Sequence, residues 1–154
     1  MNTSKRVGLG LSLALIYSLN ISPALAAEKI TLVMTEDQVG GYSRSLFRHW
    51  IDADKDGCNT RYEVLIAEAI VKPKVGARCY LLGGKWKSSY DGKVFTNPTG
   101  LDIDHMVPLA EAWRSGAWAW SAGQRMAYAN DLDASETLVA VTASLNRSKG
   151  DKDV

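Results

Sequence analysis

The chain has 154 residues, with 18 Lys and Arg against 17 Asp and Glu, two His and two Cys. That length supports one domain, the formal charge of +1 excludes a polybasic tail or a broadly cationic coat for nucleic acid, and so few Cys and His exclude a Cys/His zinc finger, a ferredoxin or a disulfide-dense toxin. Hydrophobic residues make up 46% and charged residues 23%, the balance of a globular protein, and nothing after the N-terminal segment approaches the roughly 18 apolar residues of a membrane span.

The N-terminus reads as an address. Lys5 and Arg6 precede an apolar or small stretch over 7–21, Pro23 breaks it, and Ala24-Leu25-Ala26 is a small-x-small cleavage site. That order predicts a secretory signal peptide over 1–26, and the short apolar stretch argues against an uncleaved anchor. Residues 27–154 then form the mature domain, secreted or periplasmic, with no membrane association after cleavage. In an oxidising compartment Cys58 and Cys79 pair most simply with each other; the alternative is two separate thiols, one of them reactive.

Further along, a lead-in over 27–41 carries a short apolar run and ends at Gly40-Gly41. Leu46, Phe47 and Trp50 at three- and four-residue spacing predict a helix over 43–51. A loop rich in Asp, Gly and Asn follows over 52–60. Tyr62, Leu65, Ile66, Ala69 and Ile70 predict an amphipathic helix over 62–71, ended by Pro73. Residues 79–82 and 85–87 flank Gly83-Gly84 and suggest a hairpin. Asn97-Pro98-Thr99-Gly100 is a turn, 101–109 a strand that Pro108 helps to stop, and 110–114 a helical turn closed by Gly116. Ser121 and Gln124 form a capping box for a helix reaching Asn130. Residues 137–142 suit a buried strand. The fold class is α+β with little sheet.

Asp102-Ile103-Asp104-His105-Met106-Val107-Pro108-Leu109 is the most informative segment. A carboxylate beside an imidazole offers a hard oxygen ligand and a base that titrates near neutrality. Phosphodiester hydrolysis needs that pair: a metal neutralises charge on the phosphate and leaving oxygen while the base takes a proton from water. Neighbours on a regular strand, however, point to opposite faces. Asp104 and His105 serve one site only if the strand ends or bulges there; otherwise Asp102 and Asp104 share a face without His105.

Asp-His-x-Val-Pro-Leu, a helical insert, Asn130-Asp131, an apolar strand and then Asn146-Arg147-Ser148-Lys149-Gly150-Asp151 resemble the His-Asn-His (HNH) nucleases. The likeness is closest to secreted bacterial HNH endonuclease family proteins related to the C-terminal domain of GmrSD-type restriction enzymes. Tyr42, Arg44, Phe47, Trp50, the run Asp56-Gly57-Cys58-Asn59-Thr60-Arg61 and Glu63-Val64-Leu65 match that group's N-terminal half. The resemblance implies a small ββα-metal core with added N-terminal helices and a hairpin. It implies His105 as general base, Asp104 and Asn146 as ligands of a divalent cation (Mg2+, with Mn2+ as second candidate), and Lys149 or Arg147 at phosphate. It also implies a DNA substrate, with RNA the second candidate, cleaved to a 5′-phosphate and a 3′-hydroxyl; the absence of a recognition module suggests little sequence preference, and a monomer is expected. The family's middle Asn, which orients the metal loop, has its nearest counterpart in Asn130. Family members commonly run on past the Lys-Gly-Asp segment, so the domain is expected to be truncated at its C-terminus.

Two further features have functional readings. Asp52, Asp54, Asp56 and Gly57, with Glu63 at the twelfth place, satisfy the EF-hand loop pattern; Ca2+ there competes with a purely structural turn. Lys72, Lys74, Arg78, Lys85, Lys87 and Lys93, with Asp91 as the lone acid and Tyr80, Trp86 and Tyr90 interleaved, form a candidate phosphate-binding face, for which Lys85, Trp86, Lys87 and the later Arg147 are the named contacts. Trp113, Trp118 and Trp120 are expected in the core, and His49 is expected to be structural. The alternatives to a nuclease are a secreted calcium-binding or interaction module built on 52–63, and an inactive remnant that still binds nucleic acid.

Overall fold

The computed structural model describes residues 40–150 and 152. The expected signal peptide and most of the lead-in lie outside those residues. No helix among the described residues is long and apolar enough to cross a membrane.

Four α-helices and three two-stranded antiparallel ladders make up the described α+β fold. Helix α1 (Thr60–Glu68) follows the Asp-rich loop. Strands β1 (Lys74–Val75) and β2 (Leu81–Leu82) pair with each other, as do β3 (Trp86–Lys87) and β4 (Val94–Phe95). Strand β5 (Leu101–His105) pairs with β6 (Leu138–Thr142) over a long insert that carries α2 (Leu109–Arg114) and α3 (Ala122–Ala129). Helix α4 (Ala143–Lys149) leaves β6 with no intervening loop.

Local signals explain the helix starts. The Asn59 side chain accepts from the Tyr62 amide and caps α1. The capping box of Ser121 and Gln124 opens α3, and Asn130 closes it. The Lys72 ammonium donates to the carbonyls of Ile66 and Ala67 at the end of α1.

The β5–β6 pair is the centre of the molecule. Its register runs without a bulge from Leu101↔Thr142 to His105↔Leu138. One face presents Leu101, Ile103, Leu138 and Ala140, which pack with Val64, Leu65, Leu81, Trp86 and the Cys58–Cys79 disulfide into the main core. Asp102 and Asp104 project from the other face, toward α4. A second core gathers Leu109, Ala112, Trp113, Ala117 and Ala129 of the insert around Phe47 from the N-terminal segment. The free edge of β6 is closed by other groups: the Glu68 carboxylate accepts from the Ala140 amide, the Ser89 amide donates to the Ala140 carbonyl, and Ser88 Oγ accepts from the Thr142 amide. Cys58 and Cys79 are 21 residues apart, and a loop of that size stabilises by about 3 kcal/mol in the chain-entropy account.

The structure corrects several local expectations. No α-helix spans 43–51; a single 3-10 turn, Arg44–Leu46, is followed by irregular chain in which Trp50 has φ of 60°. Tertiary hydrogen bonds to Asn130 hold this segment instead. Helix α1 stops at Glu68, well before Pro73. Residues 79–82 and 85–87 do not pair with each other: β2 runs against β1, and Lys85 bridges to Val71. Gly84, at φ +93°, lets the chain turn against the Trp86 ring, where a Cβ would sit 2.6 Å from the indole. Trp113 is buried as expected, whereas Trp118 is 45% exposed.

Candidate active site

Alternation along β5 decides which side chains can meet. Because the strand is regular to its end, Asp102 and Asp104 share the face toward α4, while Leu101, Ile103 and His105 share the other. Helix α4 starts at Ala143, so Asn146 and Lys149, three residues apart, fall on one side of it and meet that acidic face.

The contacts are specific. The Lys149 ammonium lies 2.7 Å from Asp104 Oδ2, with the two side chains only 6% and 14% exposed. The Tyr90 hydroxyl donates to the same oxygen, and the Lys149 ammonium stands over the Tyr90 ring, 5.9 Å from its centroid. One residue pair along the strand, the Asn146 amide nitrogen is 3.4 Å from Asp102 Oδ2. The Arg147 guanidinium grips both oxygens of Asp102, at 3.2 and 3.3 Å. That pair is open to water, with Arg147 73% exposed, and adds little to stability. Burial, and next the bond to Asp104, hold the Tyr90 phenol above its ordinary pKa, so it remains a donor at neutral pH. For Lys149, burial works to lower the ammonium pKa; the bonds to Asp104 and Tyr90 outweigh it and leave the group above its usual value.

His105 occupies a different environment. Its ring is buried between Trp50 and Tyr128, with centroids 6.0 and 6.3 Å away. Nε2 lies 3.0 Å from the Ala129 carbonyl. A carbonyl only accepts, so the proton is on Nε2, and the neutral ring carries its lone pair on Nδ1. Burial depresses its pKa to about 4, against the raising effect of the Ala129 hydrogen bond, so the ring is neutral at physiological pH.

The structure thus brings Asp104 and Lys149 into direct contact, sets Asn146 and Arg147 beside them on Asp102, and turns His105 to the far side of the strand. Asn130 lies elsewhere: its amide oxygen accepts from the Ile51 amide and Thr60 Oγ1, and its nitrogen donates to the carbonyls of Arg48 and Met126. Trp86 is not on the basic face. It is fully buried and donates to the Leu65 carbonyl, because alternation turns it inward while Lys85 and Lys87 on either side stay exposed. Two residues beyond the expected set emerge. Asp102 was legible as the same-face neighbour of Asp104. No spacing rule announced Tyr90.

The Asp-rich loop folds compactly. The Gly57 amide donates to Asp52 Oδ2 at 3.1 Å, the Asp56 amide to Asp54 and the Cys58 amide to Asp56. The carboxylates of Asp52, Asp54 and Asp56 lie within 4.8 Å of one another. Glu63, in the first turn of α1, has its pKa raised by burial and then by the charges of Asp56, Asp54 and Asp52. Glu63 lies in reach of Asp56, which the three-aspartate cluster shares.

On the β5–α4 face Lys149 and Tyr90 hold Asp104 Oδ2, and Arg147 and the Asn146 nitrogen hold Asp102, so a divalent ion there would have to displace some of these contacts. Two carboxylates and a carboxamide offer hard oxygen ligands, the kind that Mg2+ and Mn2+ take.

Comparison with known proteins follows the same residues. The family described as GmrSD restriction endonucleases, C-terminal domain, matches residues 59–154, the whole span from the cap of α1 through α4. An uncharacterized secreted protein of the fungus Arthroderma benhamiae is 41% identical over 136 residues, covering 86% of this chain and 65% of that relative. A fungal relative lends no support to the bacterial origin that the resemblance implied. No solved structure matches.

Proposed function

We propose that this chain, which belongs to the family of GmrSD restriction endonuclease C-terminal domains, is a secreted, divalent-metal-dependent endonuclease of the HNH type acting on DNA, with RNA as a second substrate. The observation that supports it most is the meeting of two strand carboxylates with the basic side chains of α4 across one ββα unit. Secretion rests on the N-terminal signal pattern and on a relative described as secreted.

In this reading Asp104, Asp102 and the Asn146 amide oxygen hold the cation, which supplies charge neutralisation at the scissile phosphate and the leaving oxygen. The exposed Arg147 guanidinium, which pairs with Asp102 in the structure, would be released to a phosphate oxygen pair when the cation takes Asp102. Lys149 contributes a second positive charge at the buried end of the same face. The resemblance makes His105 the base that takes the proton of the attacking water, through the Nδ1 lone pair that the Ala129 carbonyl leaves free. Its ring is buried on the opposite face of β5 from Asp104, so this role requires the end of β5 to turn the ring toward the acidic face. Exposed Lys85 and Lys87 extend the contact with the backbone of the nucleic acid and make binding weaken with salt.

Plasmid nicking by the mature protein tests the proposal. Nicking with Mg2+ that EDTA abolishes, and that falls about 10²- to 10⁴-fold in His105→Ala, is the expected result. Nicking that survives in His105→Ala removes that residue as base. Plasmid binding without nicking under Mg2+ or Mn2+ makes the protein a nucleic-acid-binding remnant.

A second ion has its own support. The cluster of Asp52, Asp54 and Asp56, with Glu63 in reach of Asp56 and the Gly57 amide folded onto Asp52, favours Ca2+ in the 52–63 loop as a structural ion that braces the start of α1.

A further inference from the structure

The hairpin that joins β3 to β4 closes the edge of β6 and in doing so delivers one side chain to the acidic face. Its tip, residues 88–93, is fastened to the end of β6 at three points: Ser88 Oγ accepts from the Thr142 amide, the Ser89 amide donates to the Ala140 carbonyl, and Thr142 Oγ1 donates to the Asp91 carboxylate. Within the tip, Ser88 Oγ also accepts from the Tyr90 amide, and the Gly92 amide donates to the Ser88 carbonyl. Gly92, at φ +69°, supplies the left-handed residue that the tight turn requires. The side chain delivered by this fastening is Tyr90, whose hydroxyl meets Asp104 Oδ2.

We propose that Tyr90 is a positioning residue for Asp104: with Lys149 it fixes Oδ2, so that Oδ1 is held toward the divalent ion. This rests on Asp104 being a metal ligand, as argued above. Both fixed contacts fall on Oδ2, and Oδ1 takes no hydrogen bond among the described residues. A carboxylate free to rotate about its last bond gives up orientational entropy when it binds a cation; one already held by a phenol and an ammonium does not. Lys149 alone is a poor tether, because its charge opposes the incoming cation. Tyr90 orients the same oxygen without bringing a positive charge to the site. Outer-shell partners of this kind are worth about 10- to 100-fold in metal affinity.

The test is a Mn2+ titration, followed by the loss of the free-ion EPR signal, of the full mature chain and of Tyr90→Phe and Asp104→Asn, with Ca2+ present to fill the 52–63 loop. Tyr90→Phe keeps the ring beneath Lys149 and removes one oxygen. The Asp104-dependent site is expected to weaken about 10- to 100-fold in Tyr90→Phe, with plasmid nicking restored toward the wild-type rate at saturating Mn2+. A residue that only supported the fold would lower stability without moving the metal titration. Wild-type or tighter Mn2+ binding by Tyr90→Phe, where Asp104→Asn has lost the site, overturns this inference alone. If Asp104→Asn binds Mn2+ as the wild type does, Asp104 is not a ligand, and both the inference and that part of the proposed function fall.

Discussion

Asn130 holds the N-terminal segment to the insert, and its replacement separates a structural tie from a catalytic amide. All of its hydrogen-bonding capacity is used: the oxygen accepts from the Ile51 amide at 3.1 Å and Thr60 Oγ1 at 2.8 Å, and the nitrogen donates to Arg48 and Met126 carbonyls at 2.8 Å each. A neutral hydrogen bond contributes about 1 kcal/mol net. Water can replace the bond to Arg48, which lies at the exposed end. Asn130→Ala should therefore cost about 2–4 kcal/mol. Asn130→Asp keeps the shape but turns two donors into an acceptor facing two carbonyls, so it should cost at least as much. Urea unfolding followed by tryptophan fluorescence measures both. At lower pH the introduced carboxyl gains a proton and regains one donor, so the deficit of Asn130→Asp relative to wild type should shrink on acidification, while that of Asn130→Ala stays level. An Asn130→Asp protein within about 0.5 kcal/mol of wild type would refute the tie. So would a nicking rate that collapses at temperatures where Asn130→Ala is still fully folded.

Two other outcomes follow from charge. The buried neutral ring of His105 has a folded pKa of about 4 against an ordinary 6.5, so its contribution to stability is full above about pH 6.5 and is lost as pH falls toward 4. That shift corresponds to about 3 kcal/mol, and His105→Gln should show a flatter acid limb in pH-dependent urea melts; equal limbs would contradict it. Calcium at 100 times its dissociation constant should raise unfolding stability by about 2.7 kcal/mol, seen as a higher thermal midpoint that Glu63→Gln abolishes; a midpoint indifferent to Ca2+ would leave the loop as a turn.

Signals carried by neighbouring residues were legible in the sequence. The capping box at Ser121 and Gln124 is present, the apolar run before Thr142 is a fully buried strand, and Cys58 pairs with Cys79 as an exported chain with two cysteines suggests. Decisions made by distant partners were not. Leu46, Phe47 and Trp50 have helical spacing, yet Phe47 enters the insert core while Leu46 stays exposed, and Asn130 holds the backbone that follows. The glycines after Leu82 suggest a hairpin, but the need to bury Trp86 under Leu65 sends the next strand to a different partner. For the candidate site, both branches of the alternation argument could be written from sequence. Which one holds depended on the register between β5 and β6, a long-range property that no local pattern encodes.

Register also ties the chemistry of the acidic face to its stability. A seven-residue helix is marginal on its own, and α4 owes its place to tertiary contacts. Two of these are the ion pairs of Arg147 with Asp102 and of Lys149 with Asp104. Asp104, proposed to bind a cation, is therefore also the carboxylate whose buried ion pair helps to hold the helix bearing Asn146, whereas the exposed pair at Asp102 adds little. A divalent ion arriving at Asp104 must share that carboxylate with Lys149 or displace it, and in either case it takes over part of the charge that α4 now provides. Removing the carboxylate takes away the ligand and loosens the helix together. Activity alone cannot separate those two losses, whereas a metal titration on a variant such as Tyr90→Phe, which leaves both ion pairs intact, can.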